Sequence, residues 1–221
     1  MTVDQAPRLR DRLLPVSTQV AAVDRLSDRL TRVRVGRPDG SGGAYTRGSH
    51  IALAVSPGFG PFGTVRRYTI SNADTDGFEF VWFRHGTGPG THYLDLLRAG
   101  DTIRVRHSDP PLRADPGLAT VIVTDESGIG TTCALLPSLT APPRIIVHTT
   151  DKANAAVLPA ADAMADLAAV IAAVDARPSA QLIALGQRDT VRDLRRWAKQ
   201  HAPSCVVVHR TYWAPGRAGL E

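Results

Sequence analysis

The sequence predicts a β plus α/β protein: a six-stranded antiparallel barrel followed by a small α/β domain built on a parallel sheet. Short strands with turn residues between them fill the first half, a proline-rich break follows, and continuous apolar runs alternate with helical segments after it. A chain of 221 residues suits two compact domains of about 100 residues each.

In chain order, Val16 to Val23, Arg29 to Val35, His50 to Val55, Arg66 to Ser71, Phe78 to Arg84 and Thr102 to His107 read as strands, most of them separated by Gly, Pro, Asn or Asp. Thr31-Arg32-Val33-Arg34-Val35 and Ile103-Arg104-Val105-Arg106 alternate apolar and charged residues, the pattern of a half-buried strand. About six such strands fit a small closed barrel.

Ser108 to Gly117 holds three prolines and a glycine, which continue neither helix nor strand, and places the domain boundary there. Beyond it Thr120 to Thr124, Ile145 to His148, Leu182 to Leu185 and Cys205 to Val208 are continuous apolar runs, as parallel strands covered on both faces should be. Gly128 to Leu136 reads as a helix after the first of these strands. Leu167, Val170, Ile171 and Val174 form one apolar stripe, with Asp162 as the expected N-terminal cap, and Asp189 to Gln200 is a further amphipathic segment. Strand and helix alternating in this way predict a doubly wound sheet.

Composition narrows the function. Hydrophobic residues at 43% and charged residues at 21% suit a folded core and not a disordered chain. Cys133 and Cys205 are too few for a four-thiolate cluster or zinc site. The seven histidines show no compact metal spacing, and no nucleophile elbow occurs. The net charge of +5 is scattered and comes with only 5% aromatic residues, which argues against nucleic acid and fits an anionic cofactor or substrate. Met1 to Arg12 is charged and lacks the apolar run of a secretory signal, and no window is apolar enough to span a bilayer, so the expectation is a soluble cytoplasmic protein.

Two segments carry chemistry. In Arg66-Arg67-Tyr68-Thr69-Ile70-Ser71, alternation puts Arg66, Tyr68 and Ile70 on one face and Arg67, Thr69 and Ser71 on the other. An arginine fork suits a diphosphate, a tyrosine can lie against an aromatic ring system, and a threonine can hydrogen-bond a ring nitrogen. The same residues also read as a surface strand with a half-buried tyrosine. The second segment runs from His85 through Gly86, Gly88, Gly90, Thr91, His92 and Tyr93 to Leu94. Its glycines let backbone amides approach an anion, with Thr91 expected to cap a short helix. A plain Gly/Pro turn remains the alternative.

These elements, in this order, resemble the flavin-binding domain of the ferredoxin-reductase superfamily, and most closely the siderophore-interacting proteins, FAD-dependent ferric-siderophore reductases. The resemblance extends over nearly the whole chain: Arg66, Tyr68 and Thr69; His85-Gly86; Ala99-Gly100-Asp101; Asp125-Glu126; then Gly186, Val191 to Arg195, Tyr212-Trp213 and Gly216. It implies an FAD-binding barrel over 1–112 and an NAD(P)H-binding-like domain over 113–221. It further implies that Arg66 holds the FAD diphosphate, Tyr68 the isoalloxazine edge and Thr69 the N5 region, with Ile70 and Ser71 alongside. His85 with Gly88, Gly90 and Thr91 falls to the phosphates or ribityl chain, and His92 and Tyr93 are also expected to contact the cofactor. Asp125, Glu126 and the turn from Ser127 to Thr131 fall to the nicotinamide nucleotide, and Tyr212 or Trp213 to the flavin ring or to an aromatic staple closing the core.

The activity so implied passes electrons from NAD(P)H through FAD to a small-molecule acceptor, a ferric siderophore or the like. Where the family pattern has a second arginine the chain has Ser71, the Asp125-Glu126 pair runs into Ser127 to Gly130, and Gly186 is followed by Gln187. Those changes motivate an alternative, a flavoprotein of this fold recruited to natural-product biosynthesis as a flavin reductase or as a cyclase using FAD structurally. A ligand-binding module without cofactor is a third class. No catalytic residue is singled out, and the oligomeric state stays open.

Overall fold

The computed structural model describes residues 15–38, 45–56, 64–107, 109–175 and 180–216. The chain divides into two compact units, Met1–Leu112 and Arg113–Glu221.

The first unit is a closed antiparallel barrel with strand order β1-β2-β5-β4-β3-β6, from β1 (Val16–Arg25), β2 (Leu30–Gly36), β3 (His50–Ala54), β4 (Val65–Ala73), β5 (Gly77–Phe83) and β6 (Thr102–His107). Alternation along β2 and β5 sends Val33, Val35, Phe78 and Phe80 inward and fully or nearly fully buries them, while Arg32, Arg34 and Glu79 stay at least partly exposed. Asp74 shapes the β4–β5 hairpin: its Oδ1 accepts from the amides of Asp76 and Gly77 at 2.9 and 3.0 Å, and Arg34 pairs with it at 2.7 Å. At Gly77 a Cβ would stand 2.0 Å from the carbonyl oxygen of Val35, so only glycine lets β2 pass.

The barrel interior is filled by its own side chains, among them Ile51, Leu53, Ile70, Phe78, Phe80, Ile103 and Val105. Each such burial is worth about 1.5–3 kcal/mol. A barrel this small and this full leaves no room for a ligand inside, so any site must lie on its surface or at a strand end. One helix, α1 (Pro89–Leu96), follows β5, and its Leu94 packs with Leu97 onto the same core.

The second unit is a five-stranded parallel sheet ordered β11-β10-β7-β8-β9, from β7 (Thr120–Thr124), β8 (Arg144–His148), β9 (Asp162–Met164), β10 (Gln181–Gln187) and β11 (Val206–Trp213). The helices are α2 (Ile129–Leu135), α3 (Lys152–Ala155), α4 (Leu167–Asp175) and α5 (Arg188–His201). Val121, Val123, Ile146, Leu182 and Ala184 pack on one face against Val170 and Val174 of α4 and Val191, Leu194 and Ala198 of α5. The alternate residues Ile122, Val147, Ile183 and Leu185 are buried on the other face.

The six barrel strands and four of the parallel strands fall where the sequence places them. Two local expectations change. The segment around Asp162 forms β9, pairing in parallel with Ile146 to His148, so Asp162 is no helix cap. That task belongs to Asp166, whose carboxylate accepts from the amides of Ala168 and Ala169 at 3.3 and 3.2 Å. A cap must immediately precede the first helical turn, and the turn begins at Leu167. The helix expected from Gly128 to Leu136 is split, with a 3-10 turn at Glu126–Gly128, α2 itself and a second 3-10 turn at Leu136–Ser138, where Pro137 ends the α-helix.

Candidate functional site

In the barrel unit, Arg66 lies against the start of α1. A Cβ on Gly90 would stand 3.0 Å from Arg66 Cγ and 3.6 Å from its Nε, so the glycine lets the arginine stem lie directly on the first turn. The guanidinium donates to Val65 O at 2.8 Å, and among the described residues no carboxylate pairs with it. The N-cap is Gly88, no side chain caps the helix, and a Cβ at Gly88 would meet nothing within 4 Å. Pro89 has no N–H to offer, so the first-turn amides without an intrahelical acceptor include those of Gly90 and Thr91, beside the stem of Arg66. A cation beside helix-start amides is a donor set suited to a phosphate.

Thr91 does not cap the helix as expected. It sits one turn too late, inside the helix, and its hydroxyl donates back to His85 O at 3.0 Å, bracing the loop. His85 is exposed and stacks on Phe83, with ring centroids 5.9 Å apart. His92 is exposed, whereas Tyr93 packs onto the barrel core, and burial followed by the charge of Asp101 raises its phenol above the usual range.

Along β4, Tyr68 stacks on Phe80 with centroids 4.9 Å apart and stays partly exposed; burial raises its phenol strongly, against the opposing pull of Arg66. Thr69 is buried, and its hydroxyl hydrogen-bonds His50 Nε2 at 2.9 Å. Ile70 and Ser71 are committed to the barrel itself. Ile70 is fully buried in the core with its amide on Ser49 O at 2.8 Å, and the Ser71 hydroxyl donates to Glu79 O at 3.1 Å. Core packing and strand pairing claim both, so neither side chain is presented to a ligand.

The second unit has its switch point at the carboxyl ends of β7 and β10, because the chain leaves β7 toward β8 and β9 and then returns to lay β10 on the other side. Asp125 occupies that point and is buried. Its carboxylate accepts from Ser127 N at 2.9 Å, Gln187 N at 2.7 Å and Trp213 Nε1 at 2.9 Å, and also from the Ser127 hydroxyl. Burial pushes its pKa up, and the four donors pull the other way. Glu126 Oε1 accepts from Thr149 Oγ1 at 2.5 Å and from the buried Asn154 Nδ2 at 3.3 Å.

The glycine turn, expected to face the nicotinamide nucleotide, is closely packed within its own unit. Gly128 to Thr131 are buried, and at Gly128 a Cβ would fall 2.2 Å from Thr124 Oγ1 and 2.8 Å from Leu185 Cβ. Its glycine allows close packing, and the turn is capped by Asp125. The C-terminal aromatics, expected over the flavin ring or as a staple, bond to residues of the β7 end and its turn: Trp213 donates to Asp125, and Tyr212 hydrogen-bonds Thr131. His50, Thr149 and Asn154 escaped the sequence reading. His50 becomes visible only through the β3–β4 register that pairs it with Thr69, and the other two only when the ends of β7 and β8 are side by side.

An antiparallel barrel followed by this parallel sheet is the ferredoxin-reductase-like architecture. Similar solved structures include the siderophore-interacting protein of Acinetobacter baumannii, at 15% identity and a TM-score of 0.72 over 93% of each chain. The siderophore-interacting protein of Aeromonas hydrophila matches at 18% identity and a TM-score of 0.72 over 92% of each chain. A ferredoxin NADP+ reductase from Neisseria gonorrhoeae, solved with bound FAD and NADP, matches at 13% identity and a TM-score of 0.70, covering 89% of this chain and 98% of its own. No family model matches the chain, and no curated protein matches it by sequence. Among the described residues, no helix is long and apolar enough to cross a membrane.

Proposed function

We propose that the chain is an FAD-dependent oxidoreductase that passes electrons from NAD(P)H to a small-molecule acceptor, with a ferric siderophore as the favoured one. The observation that carries this reading is Arg66, a cation with no carboxylate partner among the described residues, lying on the first turn of α1, which no side chain caps. Arg66 and the amides of Gly90 and Thr91 would hold the cofactor's diphosphate, Gly88 leaving the approach open. Tyr68 and Thr69 would address the ring system, and His85, His92 and Tyr93 flank the phosphate cradle. A bound flavin supplies hydride acceptance and the release of single electrons; the chain's own part is to bind, orient and charge-balance it. The units 1–112 and 113–221 take the flavin and nicotinamide roles in this reading, in a cytoplasmic protein.

The acceptor comes from the named neighbours, two of which are siderophore-interacting proteins. Their low identity leaves the chemistry to be tested directly. Purified protein should show flavin absorbance that NADH or NADPH bleaches anaerobically and a ferric siderophore restores. Colourless protein that takes up no FAD overturns the proposal.

A second reading is favoured by one observation: the turn expected to meet the nicotinamide nucleotide is buried and already filled by Asp125. It makes the chain a flavoprotein of the same fold in natural-product biosynthesis, working on an organic intermediate. Bound flavin that neither NADH nor NADPH reduces, together with activity retained on a redox-inert flavin analogue, selects this reading over the first.

A further inference from the structure

Strand β11 forms one edge of the sheet in the second unit, and two features there have no part in the function proposed above. Among the described residues β11 pairs only with β10, in unbroken parallel register from Val206 to Thr211. An edge strand carries a row of outward backbone donors and acceptors, which proteins commonly blunt with a proline, a bulge or a covering segment. Val206 to His209 contains no proline and no bulge, and Val206 keeps 47% of its surface exposed.

Charge is the second feature. Along the chain the cations are scattered, but α5 gathers five of them against two carboxylates. Those carboxylates, Asp189 and Asp193, are taken up by Arg192 and Arg196 within the helix. Arg195 and Lys199 are exposed, stand one turn apart and form no ion pair among the described residues. Arg195 borders the β11 edge. Val207 packs on the core cluster that holds Val191 and Leu194 of α5, and alternation sets His209 on the same side of the sheet. There burial, and after it the charge of Arg195, lowers the imidazole pKa of His209.

We infer that this edge docks an extended acidic segment of a partner protein, which adds as a sixth strand beside β11 with its carboxylates toward Arg195 and Lys199. The spacing fits, since residues four apart on a helix rise about 6 Å along its axis and alternate residues of a strand about 6.6 to 7 Å. On the opposite face of the sheet, the exposed Val206 suits the apolar residues that alternate with those carboxylates. A second copy of this chain is a poor occupant, because pairing β11 with itself about a two-fold axis brings two cationic α5 helices together. A nucleic acid would satisfy the cations but not the alternating donors and acceptors of a strand edge.

The test is fluorescence anisotropy of a labelled peptide of about eight residues, alternating glutamate and valine, titrated with the full chain. The wild type should bind this peptide and not the same peptide with lysine in place of glutamate. Arg195→Glu together with Lys199→Glu should weaken binding by about tenfold, the scale of two exposed ion pairs turned into repulsions. Methylating the peptide's backbone amides at alternate positions should cost about tenfold or more with every charge kept, because it removes the strand-to-strand hydrogen bonds while the protein stays native. No binding of the glutamate peptide, or equal binding of its lysine counterpart, overturns the inference. So does a methylated peptide that binds as well as its parent, which leaves contact by charge alone. A dimer in sedimentation that the peptide does not displace gives the edge to a second copy, and tighter binding of a single-stranded oligonucleotide gives the cations to nucleic acid; either result overturns the acidic partner.

Discussion

Two helix starts among the described residues follow a strand through a glycine-containing turn, and their surroundings are opposite in charge. At α1 the cap is Gly88, no side chain caps the turn, and the stem of the cationic Arg66 lies on it. Ahead of α2 the 3-10 turn is capped by Asp125, whose carboxylate is also claimed by Gln187 and Trp213. The partial positive charge of a helix start favours an anion in either place. In the second unit the protein supplies a carboxyl group from its own sequence, and it joins the ends of β7, β10 and β11. In the barrel unit the position stays open and electropositive. What separates the two helix starts is thus which charged groups surround the turn, with glycine common to both.

If Asp125 is a joint, breaking it should cost folding and should do so more severely than any change at Arg66. Asp125→Ala leaves the amides of Ser127 and Gln187 and the indole N–H of Trp213 without their acceptor in a buried setting, a loss of about 3–5 kcal/mol. Urea unfolding followed by tryptophan fluorescence reads it. Gly186→Ala should fall in the same range, because φ is +117° and the new Cβ would stand 2.4 Å from the Asp125 carboxylate carbon. Should both variants keep wild-type stability and lose only nucleotide binding, the comparison is the wrong way round.

The open end makes the complementary prediction. Arg66→Ala should leave the unfolding midpoint nearly unchanged, since no carboxylate among the described residues is stranded, and should weaken FAD by roughly 30- to 100-fold, the scale of a charge-assisted paired hydrogen bond. Gly90→Ala is milder. Its methyl meets only the flexible stem of Arg66, which can shift by a few tenths of an ångström, so a loss of about fivefold in FAD affinity with little change in stability is expected. Titration of flavin fluorescence measures both variants.

This contrast also marks what the sequence makes legible. Alternation and the proline break place all six barrel strands and four of the five parallel ones, because period-two patterning and continuous apolar runs are local signals. The three-residue β9 carries too little pattern of its own and exists because Ile146 to His148 offer it a sheet edge. At the barrel site, Arg66 and the Gly88 to Thr91 turn meet as the motif order suggests, yet Thr91 lies inside the helix and does not cap it, and the side chains of Ile70 and Ser71 are buried in the barrel. In the second unit the acidic pair and the glycine turn were visible, but their meaning was not. Four donors reach Asp125 from Ser127, Gln187 and Trp213, residues as far as 88 positions away, and no local reading of the turn contains them.

The least of the expected effects tests the charge state of the joint. Burial is the largest influence on Asp125 and raises its pKa, while the hydrogen bonds from Ser127, Trp213 and Gln187 lower it without cancelling the rise. With the folded value above the unfolded one, the native state binds the proton more readily, so this residue's contribution to stability is fully present below the ordinary carboxylate range and is lost as pH rises through the folded value. Asp125→Asn keeps the shape and removes the titration. The stability advantage of the wild type over Asp125→Asn should therefore shrink as pH is raised from about 4 to about 7, in urea unfolding repeated across that window. An advantage that grows with pH would mean that the four donors outweigh burial, and that the second unit holds its carboxylate as firmly ionised as the barrel unit holds Arg66.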